Sequence, residues 1–121
     1  VTLLRDDTPG LPWAGMWDLP GGGREGDESP LACACREARE EVGIDPTGTA
    51  PLWQGQYPSH SRPGAVAWFF LVRMPATLTP VLGDEGQEVR LMTPDAFLDH
   101  PRAIGFLKDR LRAALAGLAA P

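Results

Sequence analysis

Two cysteines, a shortage of positive charge and the lack of any long apolar run limit what this 121-residue chain can be. Cys33 and Cys35 stand two apart on one expected helix and point in different directions, which excludes a disulfide between them. The eleven Lys and Arg residues are outnumbered by sixteen Asp and Glu, for a formal charge of −5. A polymeric nucleic acid needs a basic surface, so that class of partner is excluded. The longest apolar stretch, from Ala65 to Val72, is far shorter than a membrane span. No charged-then-apolar leader opens the sequence, and a cytoplasmic location is the expectation. There are no internal repeats and no low-complexity tract. What remains is one domain, residues 1–121, large enough for one core.

The most informative segment is residues 22–44, GGREGDESPLACACREAREEVGI. Ser29 suits an N-cap and Pro30 the first helical position, so a helix is expected over residues 30–42, stopping at Gly43. Leu31, Cys35, Ala38 and Val42 fall 4, 3 and 4 apart and form one apolar stripe. Glu37, Glu40 and Glu41 crowd another face, roughly 130° away, at the C-terminal end. The helix dipole is negative there, and each misplaced charge costs roughly 0.3–1 kcal/mol. Like charges three or four residues apart add to that cost. Folding alone would not select such a face, whereas a hard divalent cation that keeps sites open for phosphate would. The preceding Leu19-Pro20-Gly21-Gly22-Gly23 loop can turn tightly and approach a ligand closely. Arg36 can pair with Glu40, and Glu28 can reach Arg36.

Gly22, five residues, Glu28, seven residues, then Arg36-Glu37-Ala38-Arg39-Glu40-Glu41-Val42-Gly43-Ile44 resembles a complete Nudix box. All seven fixed positions are filled, which at about 7% usage per residue type arises by chance on the order of once in 10⁸ starts. Ala38 stands where the family usually has a bulkier aliphatic residue. More loosely, the resemblance runs from Leu3 to Leu111 in the manner of the MutT-type branch, through Trp17-Asp18-Leu19-Pro20 and the 67–72 strand.

The resemblance implies an α/β/α sandwich built on a mixed β-sheet flanked by helices. It also implies another strand upstream of the segment that begins at Val1. The implied metal ligands are Glu37, Glu40 and Glu41, with the Gly22 carbonyl and Glu85 as further ligands and Glu28 acting through a bound water. Mg²⁺ is the implied cofactor, with Mn²⁺ as a substitute. Arg36 would orient a catalytic carboxylate, and the general base is divided among Glu41, Glu40 and Glu85, with Glu88 as an alternative to Glu85. Arg5, Arg24 and Arg62 are candidate phosphate contacts, since guanidinium groups pair bidentately with phosphate. Tyr57, Trp53 and Trp68 are candidates for base stacking, and His60 for the substrate loop.

The implied activity is hydrolysis of a phosphoanhydride in a nucleoside diphosphate linked to another group, foremost a nucleoside triphosphate. The alternatives are ADP-ribose, a nucleotide sugar, a dinucleoside polyphosphate, or a nucleotide-sensing domain without turnover. The last is opposed by the full set of three glutamates. ADP-ribose-specific members carry a proline downstream of the box, and Pro58 falls slightly before that point. Dinucleoside-polyphosphate members carry a tyrosine where this chain has His60-Ser61-Arg62. Members that clear oxidised guanine nucleotides use an asparagine before the last helix, and His100-Pro101-Arg102 supplies none. The expected partner is a small nucleotide bound by a monomer or homodimer, with no membrane association.

Along the chain, strands are expected at residues 1–5, 16–19, 50–57, 65–74 and 88–92. The 65–74 segment, aromatic and β-branched, reads as a central buried strand. Thr93-Pro94-Asp95 opens a short helix. A last amphipathic helix over 103–118 carries Ile104, Leu107, Leu111, Leu115 and Leu118 on one side.

Overall fold

A computed structural model describes residues 1–119 of the chain. Its elements are β1 (Thr2–Leu4), β2 (Trp17–Asp18), α1 (Pro30–Val42), β3 (Trp53–Pro58), β4 (Val66–Leu71), β5 (Glu88–Arg90), α2 (Pro94–Asp99) and α3 (Gly105–Ala119). β1 lies between β2 and β5, antiparallel to both. β3 and β4 form a second antiparallel pair, in register from Trp53 opposite Leu71 to Pro58 opposite Val66. Among the described residues, the parallel component expected of a mixed sheet is confined to one bridge, Trp17 with Ala103. Two hydrogen bonds make it, Trp17 N–H to the Arg102 carbonyl and Ile104 N–H to the Trp17 carbonyl.

α1 has the ends its sequence dictates. The Ser29 hydroxyl accepts from Ala32 N–H at 3.1 Å, and Gly43 closes the helix in the left-handed region at φ 69°. Its last carbonyls do not face water. Val81 N–H donates to the Val42 carbonyl at 2.8 Å, and Gly83 N–H to the Glu41 carbonyl at 3.1 Å. Gly83 sits so close that a Cβ there would strike the Glu40 carbonyl oxygen.

Two clusters make the core. Trp17, Phe97, Ala103, Ile104, Leu107 and Leu111 pack where α2 and α3 meet β2. Leu3, Val42 and Ile44 pack with Ala38, Met74 and Leu82 behind the end of α1. Two expectations need correction. The 65–74 strand is shorter than its apolar pattern suggested; among the described residues it has a partner on one edge only, and Val66 is 61% exposed. On α3, Leu118 is exposed, while Arg110 is buried at 7% exposure. Helical periodicity reports which face is apolar and says nothing about where the sheet underneath ends. Both cysteines are buried and free. Among the described residues, no helix is long and apolar enough to cross a membrane.

Candidate active site

The glycine loop and the acidic face of α1 meet at Gly21 and Gly22. Gly21 N–H donates to Oε1 of Glu41 at 3.1 Å. A Cβ added to Gly22 would stand 2.6 Å from the Glu37 carboxyl carbon and its Oε1. Only glycine lets the backbone and that carboxylate come so close.

Arg36 organises the rest. Its Nε and Nη2 grip both oxygens of Glu28, at 3.1 and 2.8 Å. Nη1 donates to Glu37 at 2.9 Å and to Glu40 at 3.1 Å, and Nη2 reaches the Gly23 carbonyl at 3.0 Å. One guanidinium therefore ties the loop to three glutamates of the box, a geometry only the planar fork of arginine can satisfy. The Arg36 pairing, with a hydrogen bond from Glu25 N–H, holds Glu28 down to about 2, and the same contacts raise the pKa of Arg36.

Glu41 is displaced in the opposite direction. Burial, then its pairing with the Glu37 carboxyl, then the charges of Glu37 and Asp18 push it up to about 8, against the pull of the Gly21 N–H. Two carboxyls in contact need a proton or a cation between them. Burial likewise raises Asp18, opposed by the Leu19 N–H and Arg5.

The donor set suits a hard cation in part. Glu37 and Glu41 converge beside the Gly21–Gly22 backbone, where a hard cation would offset the repulsion between them. Glu40 is 59% exposed and turned towards Arg36. Glu85 is exposed in the loop beyond Gly83 and makes no hydrogen bond to the cluster. Among the described residues, no three His, Cys, Asp or Glu side chains are gathered tightly enough to hold an ion by themselves. The Gly22 carbonyl accepts from the Cys33 thiol at 3.6 Å. Glu88, the alternative to Glu85, is paired with Arg90 at 2.7 Å.

A cavity of about 900 Å³ opens beside the loop, bordered by residues 18–24, β4 and α3. Of the candidate phosphate contacts, Arg24 and Arg62 line it, and the Arg62 guanidinium comes within 3.4 Å of where a Gly23 Cβ would be. Arg5 is already engaged by the protein's own groups, donating to Asp18 at 3.1 Å and to the Pro12 carbonyl. Trp68 lines the cavity and stacks on Phe70. Trp53 packs against Gly117 and Phe69. Tyr57 lies under Arg110, its ring centroid 4.9 Å from the guanidinium carbon. His60 stacks on Phe106 at 3.9 Å.

Across residues 1–112 the sequence matches the NUDIX domain family. The chain belongs to the Nudix family. Among solved structures, MutT protein from Methanosarcina mazei Go1 superposes with a TM-score of 0.74 at 24% identity, over 96% of this chain and 82% of that one. A C. elegans Ap4A hydrolase binary complex superposes with a TM-score of 0.72 at 21% identity, over 98% and 85%. No curated protein matches at a comparable level. The Nudix sandwich is thus the fold, and the family's chemistry is hydrolysis of phosphorus-containing anhydrides. Sequence reasoning passed over two parts of this Nudix site. Asp18, whose charge acts on Glu41, and Cys33, whose thiol donates to the Gly22 carbonyl, carry no role in the sequence reading. The position of Asp18, just before the glycine loop, was the available signal for the first.

Proposed function

We propose that this Nudix domain hydrolyses nucleoside triphosphates to the monophosphate and pyrophosphate, with Mg²⁺ held by Glu37 and Glu41. The observation that carries this reading is the contact of the Glu37 and Glu41 carboxyls against the Gly21–Gly22 backbone, beside a cavity lined by Arg24 and Arg62. When bound, the ion supplies charge neutralisation on the phosphate oxygens. The chain's own residues supply the rest. Arg24 and Arg62 bind the diphosphate as bidentate donors. Arg36, locked to Glu28, keeps the carboxylates from swinging away. A water oxygen attacks phosphorus, the bridging P–O bond breaks towards pyrophosphate, and the water proton passes to a carboxylate. Glu41 is the best placed acceptor, because Glu40 is exposed and engaged by Arg36 and Glu85 stands apart from the cluster. Mn²⁺ can replace Mg²⁺ at such oxygen ligands.

A dinucleoside polyphosphate is the second reading, favoured by the likeness to the Ap4A hydrolase and by the length of the cavity, which runs from the glycine loop to α3. The test is pyrophosphate and phosphate release with Mg²⁺ across triphosphates, ADP-ribose, nucleotide sugars and dinucleoside polyphosphates. Glu41→Gln is expected to lower kcat by about 10²-fold or more, as for loss of a positioned acid–base group. Turnover at the wild-type rate in that variant removes Glu41 from the chemistry.

A further inference from the structure

Arg110 is the one charged residue of α3 that is buried, and it has no role in the site described so far. It is 7% exposed, and among the described residues no carboxylate pairs with it. A largely buried charge without a counter-charge is expensive. Its guanidinium carbon lies over two aromatic rings, 4.8 Å from the centre of Phe106 and 4.9 Å from that of Tyr57. Those rings engage its π surface, and its in-plane N–H groups are the part left to meet a polar ligand. One of them donates to the Pro58 carbonyl at 3.2 Å. None of its nitrogens is sealed away without a partner, so the free edge meets solvent. Arg110 also lines the cavity that reaches the glycine loop and Arg62.

We propose that Arg110 is a specificity-determining residue whose free edge takes a planar pair of hydrogen-bond acceptors on the nucleotide, remote from the diphosphate at the glycine loop. The inference rests on the hydrolase reading of that loop. Two chemical sources present such a pair. One is the O6/N7 edge of an oxopurine, which a guanidinium fork fits and an adenine edge, with its amino donor, does not. The other is a pair of phosphate oxygens in a second nucleotide.

Calorimetric titration with Mg²⁺ and non-hydrolysable α,β-methylene analogues of GTP, ATP and diadenosine tetraphosphate tests this on wild type, Arg110→Gln and Arg110→Lys. Pyrophosphate release is measured in parallel. For an oxopurine edge, both variants weaken the GTP analogue selectively, Arg110→Gln by about tenfold or more and Arg110→Lys by less because an ammonium can still reach O6 and N7, while the ATP analogue changes by less than about twofold. For a second phosphate, the loss falls on the dinucleotide analogue alone. A loss shared equally by all three ligands, no loss at all, or no binding to wild type overturns the proposal. Arg110→Lys keeps the charge without the fork, so it carries the test if Arg110→Gln does not fold. Selective loss of binding in a protein without turnover would sink the hydrolase reading and leave Arg110 standing; turnover without selectivity would do the reverse.

Discussion

Replacing Gly22 with alanine puts a methyl group where Glu37 has its carboxylate. The added Cβ would lie 2.6 Å from the carboxyl carbon, and ordinary contact begins at 3.4 Å, so the carboxylate must retreat by 0.8 Å. The obstacle is the far end of a flexible side chain, so the fold itself loses little. An off-rotamer Glu37 costs about 0.5–1.5 kcal/mol, and a domain of this size shifts its Tm by about 4 °C per kcal/mol. Chemistry is less forgiving, because a displacement of about 1 Å in a positioned group costs about 10²-fold in rate. Gly21→Ala is the matched control, since a Cβ there meets nothing within 4 Å and the Gly21 N–H to Glu41 is kept. The assay is kcat for pyrophosphate release on both variants, with melting curves alongside. A Gly22→Ala enzyme within about twofold of wild type, or a Gly21→Ala enzyme equally damaged, would refute the claim that steric closeness to Glu37 is what makes position 22 glycine.

Further outcomes are expected. Because Glu41 is pushed up to about 8 from an ordinary 4.5, the folded state holds its proton more tightly than the unfolded chain. Metal-free stability therefore falls as pH rises from 4.5 through 8. Melting in EDTA should show that slope, Glu41→Gln should flatten it, and millimolar Mg²⁺ should raise Tm most at the alkaline end; a slope unchanged in the variant would assign it to another group. Glu28 runs the other way: held down to about 2, it stabilises the fold above 4.5 and loses that contribution as pH falls through 2. Glu28→Gln should accordingly show a shallower acid limb, checked by the same melting series. Phe97, 2% exposed at the centre of the larger core cluster, should cost about 3–5 kcal/mol as alanine in denaturant titration.

The acidic helix was legible almost to the residue, because Ser29, Pro30 and Gly43 are local signals with local causes. The box residues were legible for a related reason: a charge pattern that opposes the helix dipole has no purely structural purpose. Arg5 and Tyr57 show where such reading stops. An arginine or an aromatic ring is useful both to a ligand and to the protein's own groups, and only the three-dimensional neighbours, Asp18 and Pro12 for one and Arg110 for the other, decide between them. Arg110 itself was hidden because burial of a charge is set by long-range packing, and within the helix it reads as an exposed polar position. The extent of β4 was misjudged because an apolar run states a preference for burial and not the number of strands beside it.

Helix ends ordinarily fray, and a fraying end is a poor place to mount a catalyst. Here the final carbonyls of α1 are hydrogen-bonded by Val81 and Gly83, some forty residues further along the chain, and Gly83 is wedged against the backbone of Glu40. The segment around residues 81–83 thus acts as a splint for the glutamate face. Damage to it would act at a distance: a bulkier residue at position 83 would push the helix terminus and shift the carboxylates with it. Selection on this enzyme's turnover should therefore be felt in a stretch of chain that does not line the cavity.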